Sequence, residues 1–113
     1  MLNIKKLLSK LVQQQENMIK VVHNVSLTNS GSISGGSSCA IVNTFVTNSI
    51  PDGYKLLAVV LRGTTSGNFF CWYLDWTSTT NRVDYRVRNV GSSSGSISPT
   101  VNLICVKIGG GTA

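Results

Sequence analysis

Six consecutive apolar residues, Leu56-Leu57-Ala58-Val59-Val60-Leu61, follow the turn sequence Ile50-Pro51-Asp52-Gly53-Tyr54 and stop at Arg62 and Gly63. Proline presets φ for the first corner of a turn, and glycine supplies the positive φ that a later position demands. The run is too short for an ordinary helix, and Pro-Asp-Gly before it and Gly-Thr-Thr-Ser-Gly after it cut it off. It reads as a strand. Without alternation it reads as a strand covered on both faces, which predicts the central strand of a sheet with the others beside or above it.

Other segments repeat the pattern. Met18 to Leu27 carries Ile19 and Val21, then Val22, Val25 and Leu27, so its phase slips at a bulge near His23. Cys39 to Thr47 alternates. Phe69 to Trp76 sets Phe69, Cys71 and Tyr73 on one face and Phe70, Trp72, Leu74 and Trp76 on the other. Val83, Tyr85 and Val87 alternate with Asp84, Arg86 and Arg88, a half-buried strand with a charged outer face. Thr100 to Ile108 closes the series with Val101, Leu103 and Cys105 opposite Ile104, Val106 and Ile108. Thr28 to Ser38, Thr77 to Arg82 and Gly91 to Ser98 read as polar loops, the first of them flexible. No helical period appears after residue 18, so the prediction is an all-β, antiparallel β-sandwich, jelly-roll-like, over residues 18–108. Leu56 to Leu61, Phe69 to Trp76 and Thr100 to Ile108 are apolar on both faces. A small sandwich has one wet face per sheet, so the surplus predicts burial between subunits.

Residues 1–17 read as a short N-terminal amphipathic α-helix, with Ile4, Leu7, Leu8 and Leu11 at three-and-four spacing and Lys5, Lys6 and Lys10 off that face. Ile4, Leu8, Leu11, Gln15 and Met18 continue a heptad seam, as do Ile4, Leu7, Leu11, Gln14 and Met18. A polar residue inside a seam fixes register and oligomer number. A helix this short is marginal alone, so Ile4, Leu7, Leu8, Leu11, Gln15 and Met18 are the predicted oligomerisation or docking residues. The lysines interrupt the apolar run and no small-residue cleavage site follows, so the segment does not read as a signal peptide. Residues 109–113 read as a flexible tail.

Hydrophobic residues make up 42% of the chain and charged ones 12%, so the wet surface must rest on Ser, Thr, Asn and Gly. That balance excludes a charged disordered chain. The formal charge is +6, about half of it in the first 20 residues. The basic residues do not interleave with aromatics in the manner of a stacking platform, so no nucleic acid is expected as a partner. No stretch is long enough to span a membrane, and no membrane insertion is expected. Cys39, Cys71 and Cys105 lie in apolar runs without metal-ligand spacing and read as buried free thiols formed in a reducing compartment; no metal or cofactor is expected.

Catalysis finds few players. There is one histidine, His23, in an apolar strand, and there are four acids, with no nucleophile elbow and no phosphate-cradling loop. Asp75 and Asp84 flank one hairpin-like connection, where two acids are solvated or paired with arginine more often than catalytic. The expectation is that the protein is not an enzyme and that it binds. Trp72, Tyr73, Trp76, Asn81, Arg86 and Arg88 offer flat apolar faces and planar donors suited to sugar rings and their hydroxyl or acidic groups. Of these, Trp76, Asn81, Arg86 and Arg88 are the candidate glycan-binding residues; Trp72 is better suited to the core, and Trp76, beside the polar loop, is as well suited to the surface as to the core.

The leading helix, the turn Ile50-Pro51-Asp52-Gly53-Tyr54 before Leu56-Leu57-Ala58-Val59-Val60, Val87-Arg88-Asn89-Val90 before a Ser-rich loop, and the closing Val101-Asn102-Leu103-Ile104-Cys105-Val106 form a recognisable order. Over roughly residues 18–108 the chain resembles small β-sandwich proteins of bacteriophage virions: the tip or head domains of trimeric tail fibres, head fibres and capsid-decoration proteins. The resemblance implies a homotrimer on the virion, assembled in the host bacterial cytoplasm and attached to host-surface carbohydrate. A long repetitive shaft is missing here, which favours a small projection held to other virion proteins by the basic helix. The alternative is a capsid-decoration or cementing protein with no receptor.

Overall fold

The computed structural model describes residues 3–63 and 67–108, and within its helix the side chains of residues 11–17 fall outside that description. Helix α1 spans Ile4–Met18 and is followed by strands β1 (Ile19–Ser26), β2 (Val42–Phe45), β3 (Tyr54–Gly63), β4 (Phe69–Thr77), β5 (Arg82–Asn89) and β6 (Thr100–Lys107), with one 3-10 turn at Thr47–Ser49. The strands form two three-stranded antiparallel sheets, β1-β6-β3 and β2-β5-β4, packed as a sandwich. The pairs nest, β1 with β6 and β2 with β5, while β3 runs on to β4 in the other sheet.

The core lies between the sheets. Val101, Leu103 and Cys105 of β6 face Val83, Tyr85 and Val87 of β5, all fully buried, with Leu56 and Val59 from β3. The centre of each sheet is therefore β6 or β5. The long apolar run, expected at the centre, is an edge strand. A bulge between Leu56 and Ala58 sends Leu56 and Val59 inward and leaves Leu57 and Val60 exposed, so the run is apolar on both faces but covered on one.

Turn chemistry is also refined. Gly53 has φ +80 as expected, but Tyr54 N–H donates to the Pro51 carbonyl at 3.1 Å, so Asp52 and Gly53 are the corners and Pro51 is the acceptor. The predicted bulge in β1 is present between Val22 and Val25, with Asn24 at φ +58, and it leaves His23 exposed.

The segment expected as a flexible loop after β1 is built into the body. Leu27, Ile33 and Cys39 are buried, and Ile33 exchanges backbone hydrogen bonds with Gly95. A Cβ on Gly35 would stand 2.6–2.7 Å from the backbone of Gly91 and Ser92, so only glycine lets these two Ser-Gly segments lie together. Asn89, 1% exposed, ties them: its Nδ2 donates to the carbonyls of Ile33 (2.9 Å) and Ser93 (2.8 Å), and its Oδ1 accepts from Gly91 N–H (2.9 Å).

Helix α1 starts at an Asn3 cap, whose side chain accepts from Lys6 N–H at 3.1 Å, and passes into β1 without an intervening turn. Its contacts with the sandwich lie chiefly along β1 and β6, at the junction. The helix therefore projects. The radius of gyration is 18.7 Å and the long axis 71 Å, against a radius of about 13 Å for a compact chain of this length.

Candidate functional site

Each sheet has an outer face turned away from the core, and the two are chemically different. On β1-β6-β3 the outward rows are Ile19, Val106 and Lys55, then Val21, Ile104 and Ala58, then Asn102 and Val60. Ile19 (52%), Val21 (44%), Leu57 (53%) and Val60 (47%) are all exposed, and Lys55 is the only charge in these rows. At one end this surface meets α1, where Ile4, Leu7, Leu8 and Met18 are 64%, 44%, 55% and 44% exposed. Leu11 and Gln15, predicted with them as docking residues, have side chains outside the described residues.

The outer face of β2-β5-β4 carries the polar chemistry. A bulge between Cys71 and Tyr73 shifts the phase of β4, so Phe69, Cys71, Leu74 and Trp76 pack on the core while Phe70 and Trp72 are exposed and Tyr73 lies opposite Arg86. Strict alternation, which puts Tyr73 with Cys71 and Trp72 with Trp76, fails at that extra residue. Arg86 is fixed twice. Its guanidinium carbon lies 4.6 Å from the centroid of the Trp72 ring, and its Nε–H donates to the Cys39 carbonyl at 3.0 Å. Trp72 meets Tyr73 edge-on at 6.3 Å. Arg88 is exposed and pairs across the sheet with Phe70.

Further along the same face Arg82 Nε stands 3.0 Å from Asp84 Oδ1, and neither atom has another hydrogen-bond partner. Asp75 and Asp84 are cross-strand partners, so the two acids do meet. Asp84 is held by Arg82, while Asp75 accepts from Trp76 N–H at 2.9 Å.

Of the predicted glycan-binding residues, Arg86 and Arg88 share one face. Trp76 does not join them: it packs on the core, with its indole N–H donating to the Leu57 carbonyl at 3.2 Å, so it bridges the sheets. Asn81 sits in the β4–β5 turn at φ +54, and its carbonyl accepts from Val46 N–H at 2.8 Å. That turn lies about 20 Å from Arg88 along β5. Phe70 was missing from the predicted set, because uninterrupted pairing from the turn sets Cys71 opposite Arg88 and only the bulge moves Phe70 into that place.

Cys39, Cys71 and Cys105 are free thiols. Burial pushes the Cys71 and Cys105 thiols up, so both stay protonated and inert near neutral pH. Cys39 is used in packing, where its sulfur accepts from Val87 N–H at 3.3 Å. Among the described residues no three His, Cys, Asp or Glu side chains gather as metal ligands, and no helix is long and apolar enough to cross a membrane. No protein-family model, curated protein or solved structure matches the chain.

Proposed function

We propose that this chain is a surface protein of a bacteriophage particle, assembled as a homotrimer in the host bacterial cytoplasm, docked to other virion proteins by α1, and displaying the outer face of β2-β5-β4 to host-surface carbohydrate. One observation carries the reading: Ile4, Leu7, Leu8 and Met18 of α1 and Ile19, Val21, Leu57 and Val60 of β1-β6-β3 are apolar and exposed. A second copy of the chain is the occupant that suits the sheet face, since copies related by symmetry cover that face on one another and leave the projecting helix for the particle. Each square ångström of apolar surface covered contributes about 25 cal/mol, and a projecting helix gains a partner at the same time. The threefold count and the virion come from the resemblance to tail-fibre and head-fibre domains, and multivalent display turns weak carbohydrate contacts into firm attachment.

Light scattering on the full chain at micromolar concentration should give a trimer mass, and a strict monomer overturns the assembly. Leu7→Gln with Leu8→Gln should release the protein from purified particles while carbohydrate binding persists. Continued attachment overturns the docking role of the helix.

A further inference from the structure

Resting on the reading that β2-β5-β4 faces carbohydrate, we propose that the end of that face formed by Phe70, Trp72, Arg86 and Arg88 binds a carboxylated saccharide, a uronic or sialic type of sugar. Arg86 is already held, with its guanidinium carbon over the Trp72 ring and its Nε–H spent on the Cys39 carbonyl. What it has left is the pair of terminal nitrogens, a planar fork that matches the two oxygens of a carboxylate. No described residue forms an ion pair with Arg86 or Arg88. Arg88 lies two residues on along the same face, about 7 Å away, and adds a second positive charge.

The acids do not cancel this end. Asp84 is engaged by Arg82, and Asp75 lies opposite Asp84, beyond the Tyr73–Arg86 pair. Phe70 and Trp72, 61% and 46% exposed, supply the flat apolar surface that the C–H face of a sugar ring covers. A neutral sugar satisfies the aromatic planes and leaves the fork unused. A carboxylated one satisfies both.

The test uses the full chain on a printed panel of uronate- and sialate-terminated oligosaccharides, each beside its carboxyl-reduced counterpart, with a single-stranded oligonucleotide as a charge control. At least one carboxylated member should bind about tenfold more tightly than its reduced twin, and the difference should shrink as salt rises. Arg86→Gln should abolish the preference. Arg88→Gln, at an exposed position, should weaken it severalfold with an unchanged melting temperature. Equal binding of reduced and carboxylated twins overturns the inference and leaves carbohydrate attachment standing. Silence across the panel overturns both and leaves the cementing role. A stronger response to the oligonucleotide overturns the inference in favour of a phosphate backbone.

Discussion

The two outer faces come from strands of similar length in one small sandwich, yet one is nearly bare of charge and the other holds Arg82, Asp84, Asp75, Arg86 and Arg88. The difference extends inward. The inner side of β6 is Val101, Leu103 and Cys105, whereas the inner side of β5 includes the Tyr85 hydroxyl and the Asn89 amide. Sheet β1-β6-β3 is apolar through its thickness and needs only coverage, which is undirected and met by any close-fitting apolar partner. Sheet β2-β5-β4 relies on directed contacts, each of which needs a particular atom opposite it. The first suits self-association and the second suits recognition.

The sharpest challenge to this contrast is to put charge on the apolar face. Leu57→Lys with Val60→Lys should convert the proposed trimer to monomer on light scattering while the circular dichroism spectrum stays the same, because both side chains are outside the core. An unchanged mass would mean that this face is not where copies meet.

Polar contacts inside the second sheet should cost more to remove than apolar volume in the first. Asn89→Ala strips the Ser93 carbonyl and the Gly91 N–H of their side-chain partner and leaves the Ile33 carbonyl with Gly95 N–H alone. The expected loss is about 3 kcal/mol, read as a lower urea midpoint. Cys105→Val, a near-isosteric change against β3 and β1, should cost under about 1.5 kcal/mol. Equal losses would erase the distinction between the two interiors.

Tyr85 adds a dependence on pH. Burial raises its phenol to about 12, helped by the nearby Cys39 and Cys71 thiols, and its hydroxyl donates to the Thr28 carbonyl. The unfolded phenol titrates near 10. Between those values the unfolded chain has released a proton that the folded chain keeps. The contribution is therefore whole below about pH 10 and falls by about 1.4 kcal/mol per unit as pH rises toward 12. Urea midpoints from pH 9 to 12 should decline more steeply for the natural chain than for Tyr85→Phe, which has no phenol to ionise.

The strand set, the β1 bulge and the leading helix were all legible in the residues, because alternation and turn chemistry are local. Which strands lie at the centre was not. Leu56 to Leu61 has the composition of a buried strand, but position in a sheet is decided by pairing between distant segments, and β6 won the centre by pairing on both sides. The candidate site was half legible: Arg86 and Arg88 follow from alternation in β5, while Trp76 and Trp72 exchanged roles at a bulge that no local pattern marks. The Ser-Gly segments looked loose because their composition hides the bonds that Asn89 and Gly35 make possible across more than 50 residues of chain.

The smallest effect is expected where the second face resembles the first. Phe70 is as exposed as the apolar residues on the other sheet, so exposure alone would assign it to self-association as well. Its surroundings argue otherwise, since Arg88 lies opposite it and Arg86 and Trp72 lie beside it, and a subunit contact there would have to strip water from two arginines that form no ion pair among the described residues. Phe70→Ser should leave the trimer mass unchanged and shift stability by no more than about 0.5 kcal/mol. Loss of the trimer from this one change would show that charge beside an aromatic does not keep copies apart, and the division of labour between the faces would fail with it.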